Sequence, residues 1–292
     1  MKTILVPTDF SEPSLYGLEF AAELARKSKA SVHLFNAVLI SGYYYAGDPA
    51  AMGGTPAEIM MQDFGEGYKK TALSRLKSLS AKACFKGIKV TYSCETALNI
   101  HNCILDEANK VKAGIIVMGS RGAGNLKTIV LGSNAERVVR FSTIPVVVIP
   151  VRVKAGVLKK MVFASDFKNE ANAIFPFVKQ FAKLFNSELH LLKVVTMDQF
   201  SRTRDDEKLM QEFNKKYGGG FVTSLYNDYM KEEGILSYAA EQHAGMIAIG
   251  THGKRGLSRF FSEDVSEGIV RLSGLPILVV NLKKFTSKNG IF

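Results

Sequence analysis

Several features that usually place a chain quickly are scarce here. Its 292 residues hold 3 cysteines, Cys84, Cys94 and Cys103, and no two form a C-x-x-C pair. An odd, scattered set argues against a disulfide framework and against a thiolate zinc site, so free, buried thiols are the expectation. No apolar run reaches the roughly 18 residues that a membrane span needs. The chain passes from Lys2 straight into a strand-like Ile4-Leu5-Val6, without the basic, apolar and small-residue regions of a signal peptide. A cytoplasmic protein with no membrane partner is expected. A basic arm is lacking as well. The net charge is +11, yet residues 1–150 carry 17 basic and 12 acidic side chains and the remainder 21 and 15. An excess spread so evenly, with no aromatic-basic RNA motif, does not favour a nucleic-acid partner. It can equally draw phosphate-bearing small ligands.

What the sequence does have is itself, twice. Ile4-Leu5-Val6-Pro7-Thr8-Asp9-Phe10 resembles Met161-Val162-Phe163-Ala164-Ser165-Asp166-Phe167, and Val32–Val38 matches Leu189–Val195, both at an offset of 157. Val117–Gly122 then matches Ala248–Gly253, and Ile144–Ile149 matches Leu275–Val280, at an offset of 131. Conserved order with one change of offset means a duplicated domain, residues 1–150 and 151–292, with 26 extra residues in the first copy between 39 and 64. Hydrophobic residues make up 47% of the chain, enough for two cores.

Within each copy short apolar runs alternate with amphipathic stretches. Ile4–Val6, Val32–Val38, Lys89–Ser93, Ile115–Met118 and Val146–Ile149 read as strands, being β-branched and bounded by turn residues. Pro13–Ser28, Ala72–Ala83 and Ile100–Lys110 have helical spacing. The alternation predicts an α/β fold of two tandem doubly wound domains, each a five-stranded parallel sheet with helices on both faces. Ligands in such sheets sit beyond the carboxyl ends of the strands, where strand order reverses. The search for a site therefore narrows to the residues after Val6, Val38 and Met118. His33 and His190 lie inside matching strands and read as packing positions.

After Ile115–Met118 comes Gly119-Ser120-Arg121-Gly122, nine residues, then Gly132-Ser133 at a helix start. A helix N-terminus offers unpaired amides and partial positive charge to a phosphate. Glycine serves where backbone must approach a ligand or take positive φ, and Ser133 can cap the helix or donate to a phosphate oxygen. The loop is neither a Walker loop, lacking Gly-Lys-Ser/Thr, nor the dinucleotide fingerprint, whose spacing is shorter.

The pattern Gly-x2-Gly-x9-Gly-Ser, after a late strand and before the last helix, resembles the nucleotide loop of the universal stress protein family. Pro7-Thr8-Asp9-Phe10-Ser11 is similar to that family's opening, and Ile144–Val148 to its closing strand. The resemblance runs through both copies and implies a tandem member, built of two adenine nucleotide alpha hydrolase-like domains. It implies an ATP site (or one for ADP or AMP) in the first copy. Pro7, Thr8 and Asp9 would meet adenine and ribose, and Asp9 could help hold magnesium through water. The Ala37 backbone would read the adenine edge. Met118, Gly119 and Gly122 would contact ribose and first phosphate, and Gly132, Ser133 and Asn134 the outer phosphates. Asn134-Ala135 stand where the family usually has Val and Ser/Thr, so one hydroxyl is missing at the phosphate tail. Arg121 and Lys127 either add phosphate charge or are solvated loop cations.

The second copy keeps Gly250-Thr251-His252-Gly253 but has Glu263-Asp264 in place of Gly-Ser. Like charges a few ångströms apart cost about 1–4 kcal/mol in a partly solvated site, so no triphosphate is expected there. A purely structural domain is one reading of that copy. A cation held by His252, Asp166, Glu263 and Asp264 is another. The insertion, with Tyr43-Tyr44-Tyr45, is either a lid or docking surface beside the site or a loosely packed loop. The resemblance also implies pairing of the last strands, Val146–Ile149 and Ile277–Val280, between copies or across a homodimer. The function expected is a stress or regulatory protein whose occupancy alters how it meets a protein partner. A slow ATP hydrolase or nucleotide-dependent phosphotransfer enzyme is the alternative, and it lacks a recognisable nucleophile and base. A receiver domain would need an acidic cluster where Asp9 stands alone.

Overall fold

The computed structural model describes residues 3–39, 56–120, 132–153, 156–251, 268–269 and 273–281, with 56–66, 170 and 199 described by backbone alone. The first half runs β1 (Thr3–Pro7), α1 (Glu12–Ser28), β2 (Ser31–Leu39), α2 (Pro56–Ser80), β3 (Val90–Ala97), α3 (Ile100–Lys110), β4 (Ala113–Gly119), α4 (Ser133–Phe141) and β5 (Val146–Ile149). The second runs β6 (Lys160–Ala164), α5 (Asn169–Phe185), β7 (Glu188–Val195), α6 (Thr203–Lys216), β8 (Val222–Asn227), α7 (Lys231–Glu241), β9 (Met246–Thr251) and β10 (Ile277–Asn281). Among the described residues no helix is long and apolar enough to cross a membrane.

The strands form one sheet of ten, in the order β3-β2-β1-β4-β5-β10-β9-β6-β7-β8. Each half is parallel throughout, and the halves meet where β5 and β10 pair antiparallel, Val147 opposite Leu278. The last strands therefore do pair, and within one chain. In each half the order reverses once, between β1 and β4 and between β6 and β9, which opens a crevice at those carboxyl ends.

Period-two alternation assigns the side chains to two cores. Ile4 and Val6 of β1 face a cluster shared with α1, α2, α5 and α6, whereas Leu5 faces one shared with α3, α4 and α7. Both clusters continue across the β5–β10 seam. Phe20 of α1 stacks on Phe185 of α5 at 5.6 Å, closing the groove between halves on one face. Arg152, in the connection, adds two hydrogen bonds to Glu19 at 2.6 and 2.8 Å. All three cysteines are free.

Two expectations need revision. Strand β3 runs on to Ala97, past the expected end at Ser93, because β2 pairs with it as far as Leu39. It is an edge strand in which only Cys94 is buried, so its polar tail hid it. His33 and His190 are more than packing. His33 is buried with Nδ1 at 2.7 Å from Thr91 Oγ1 and Nε2 at 2.8 Å from Ser93 Oγ, and Glu107 of α3 lies 3.1 Å away. Burial outweighs the Glu107 charge and holds the His33 pKa below its usual value. In the second half Tyr238 stands where Glu107 does, 3.0 Å from His190 Nδ1.

Candidate functional site

The turn after β1 is built from short side chains that bond their own backbone. The Thr8 amide donates to the Phe35 carbonyl at 2.8 Å, extending the β1–β2 pairing one residue past the strand. Thr8 Oγ1 accepts the Phe10 amide at 3.0 Å and lies 2.9 Å from Ser14 Oγ. This clamp holds Phe10 at φ 65°, a left-handed conformation that costs a non-glycine residue about 1–2 kcal/mol. The same strain recurs at Phe167, φ 58°, with Ser165 as the clamp. Asp9 is thereby turned outward. Burial of part of the carboxyl raises its pKa, but bonds from the Ser11 amide and hydroxyl and from Ser14 prevail and hold it below the ordinary carboxylate value.

Opposite stands the end of β4. Gly119 is glycine for a reason other than positive φ: a Cβ there would lie 2.0 Å from the Pro13 carbonyl oxygen in the first turn of α1. Helix α1 thus rests directly on the β4 terminus. Beside it Ser120 is buried, and its Oγ has no hydrogen-bond partner among the described residues. Its amide is fixed by the Ile149 carbonyl at 3.1 Å.

Between these walls is a cavity of about 180 Å³. Pro7, Thr8, Asp9, Ala37, Met118 and Gly119 line it, and Gly132, Ser133 and Asn134 close it at the start of α4. Arg121 and Gly122, like Lys127, lie outside the described residues. Gly132 is the N-cap, at φ −65° and ψ 139°, with no side-chain capping bond. Ser133 is therefore the first helical residue, so of the roles open to it capping falls to Gly132. The leading amides of α4 are left without helical partners, as at any helix start.

Four of the contributors that sequence reasoning missed show why. Ser120 lay in plain sight as a spacer between glycines. Asn36 is buried in β2, and its Nδ2 donates to the Thr8 carbonyl at 2.7 Å, tying the two strand ends together. Ile100 and Ile104, one turn apart on α3, supply an apolar wall. Helical spacing marked them only as an apolar face, which cannot be told from core.

Residues 1–150 and 158–281 each match the Universal stress protein family. The chain belongs to that family. Over 148 residues it is 32% identical to a universal stress protein of Methanocaldococcus jannaschii, covering 51% of this chain and 81% of that one. Over 287 residues it is 23% identical to one from Synechocystis, covering 95% and 99%. The solved universal stress protein from Archaeoglobus fulgidus shares its fold, with a TM-score of 0.70 at 22% identity over 96% of this chain and 98% of that chain.

The second universal stress protein domain presents the same positions with different chemistry. Helices α3 and α7 correspond residue for residue, so Lys231 stands where Ile100 lines the first cavity. It is buried, and that burial pulls its pKa down to about 8 against the opposing pull of Asp198 and Asp166. Val194 replaces Ala37, and α7 makes room for it with Gly234, whose absent Cβ would lie 2.7 Å from Val194 Cγ1. Asp166 Oδ1 accepts the Lys168 amide at 3.1 Å, and no group of three or more metal-binding side chains exists among the described residues. His252, Glu263 and Asp264 lie outside those residues.

Proposed function

We propose that this universal stress protein binds one adenine nucleotide, in its first domain, and acts through occupancy and not through turnover. The observation that carries the reading is the composition of one cleft at the strand-order switch. An apolar wall, Ile100 and Ile104, suits a purine; Asp9 and the Ser120 hydroxyl, unpartnered among the described residues, suit ribose; the free amides of α4 suit phosphates. Asp9 is the sole charged side chain among the described lining residues. A magnesium ion would meet that one carboxylate, through water, and would fill its remaining sites with water and phosphate oxygens. Phosphoryl transfer needs a placed base and firmer metal ligands, which the described lining residues do not supply.

In the second domain an ammonium at the purine wall and a valine in place of Ala37 stand in the corresponding space, which supports a copy that takes no nucleotide there. Nucleotide occupancy would then be read on one half of the molecule, where the cytoplasm supplies ATP and a protein partner reads the surface. The test is to hold the purified protein with ATP and magnesium and separate the nucleotides after long incubation. Recovery of ATP unchanged supports the reading; release of many ADP per chain contradicts it.

A further inference from the structure

The second domain has a larger opening elsewhere. A groove of about 880 Å³ lies at the outer edge of its half-sheet, between β7, β8 and α6. Ser165, Asp166 and Gly250, the counterparts of Thr8, Asp9 and Gly119, do not line it, so it is no remnant of the nucleotide cleft.

Three observations define what would fit. Thr196 lines the groove from the end of β7, is only 4% exposed, and its Oγ1 lacks a hydrogen-bond partner among the described residues. Buried hydroxyls are normally paired, so this one is free to serve a guest. The charged side chains of the lining are all carboxylates, Asp206, Glu207 and Asp228, in a chain whose net charge is +11. Arg202, Arg204 and Lys208 stand on the same segment and do not line the groove. Asp206 is buried and already neutralised by Lys193, with the Ser201 hydroxyl on its other oxygen. Glu207 and Asp228 remain as open negative charge. Lastly, Phe200 and Tyr229 are 80% and 83% exposed at the rim, an unusual placement for large aromatics that offers π-faces to a cation.

We propose that this groove binds a small organic ammonium ion. Glu207 and Asp228 take its charge, Phe200 and Tyr229 cover its apolar body, and Thr196 Oγ accepts one of its N–H groups. The site is independent of the nucleotide cleft and stands whether or not that cleft is filled.

The test uses the full chain and two probes of matched shape and opposite charge, tyramine and 4-hydroxyphenylacetate, titrated calorimetrically. Saturable binding of tyramine alone, at one per chain, is expected. Glu207→Gln and Tyr229→Ala alter exposed positions and leave the fold intact; each should weaken tyramine about tenfold. Thr196→Val should weaken it too, with Thr196→Ser restoring it, while Gly132→Trp in the first domain should change nothing. Equal binding of the acid, no saturable binding of tyramine, or indifference to both Glu207→Gln and Tyr229→Ala would overturn the proposal. So would binding confined to a basic peptide.

Discussion

Single residues decide how the two halves diverge. Gly119 is set by packing against the Pro13 carbonyl, so Gly119→Ala must push α1 off the end of β4. Urea unfolding should show a loss of about 1–3 kcal/mol, the usual cost of overpacking, in the absence of any nucleotide. An unchanged midpoint would mean that the glycine serves only a ligand. Lys231 carries a second expectation. Its folded pKa of about 8 lies below the unfolded value of 10.5. Between those values the unfolded chain binds more protons at this site than the folded one, so its contribution favours folding increasingly as pH rises from 8 to 10.5. Replacing it with Met, of similar length and no charge, should flatten the difference in unfolding midpoint between pH 8 and pH 10. A wild-type profile retained in Lys231→Met would show that the ammonium is not confined. Neither effect was readable from sequence. Gly119 looked like a ligand glycine, and Lys231 gains its meaning only when α7 is laid over α3.

At the scale of elements, legibility followed the strength of local signals. Helix α3 was delimited at Ile100–Lys110 because its start is fixed locally: Asn99 caps it by accepting the Asn102 amide at 3.2 Å. Strands β1, β2, β4 and β5, apolar and buried, were found within two residues. Strand β3 was cut short because an edge position weakens the periodicity that reveals it, while α2 was read in two pieces, a helix opening at Ala57–Gln62 and a stretch at Ala72–Ala83, that form one helix from Pro56 to Ser80. The nine described site residues, which the family resemblance implied one by one, line one cavity because the strand ends that carry them are neighbours in the sheet. Strand β10 tests the seam between halves. It is flanked by β5 and β9, so a proline at Val279 removes an amide that one neighbour needs and should cost about 3 kcal/mol or more. In calorimetry the wild-type chain should melt in one transition and Val279→Pro in two, as the halves lose their shared sheet. Two transitions in the wild type would show the seam to be weak.

At the scale of the whole molecule, the described strands form a single ten-stranded sheet whose two strand-end crevices are asymmetric. Duplication supplied two equivalent crevices. Among the described residues the first keeps an isoleucine wall, one carboxylate, an unpaired hydroxyl and a helix start. In the second, buried Lys231 and Val194 stand at the positions of Ile100 and Ala37. Asymmetry of this kind makes stoichiometry the direct readout, and Gly132 the residue on which to turn it. The φ of −65° and ψ of 139° at Gly132 suit any amino acid, so a bulky side chain there can block the cleft without backbone strain. The decisive measurement is calorimetric titration of ATP with magnesium into the wild-type chain and into Gly132→Trp. One ATP per chain, lost in Gly132→Trp with the melting temperature of the nucleotide-free protein unchanged, is the expected result. Two ATP per chain, none, or one that survives Gly132→Trp would contradict it.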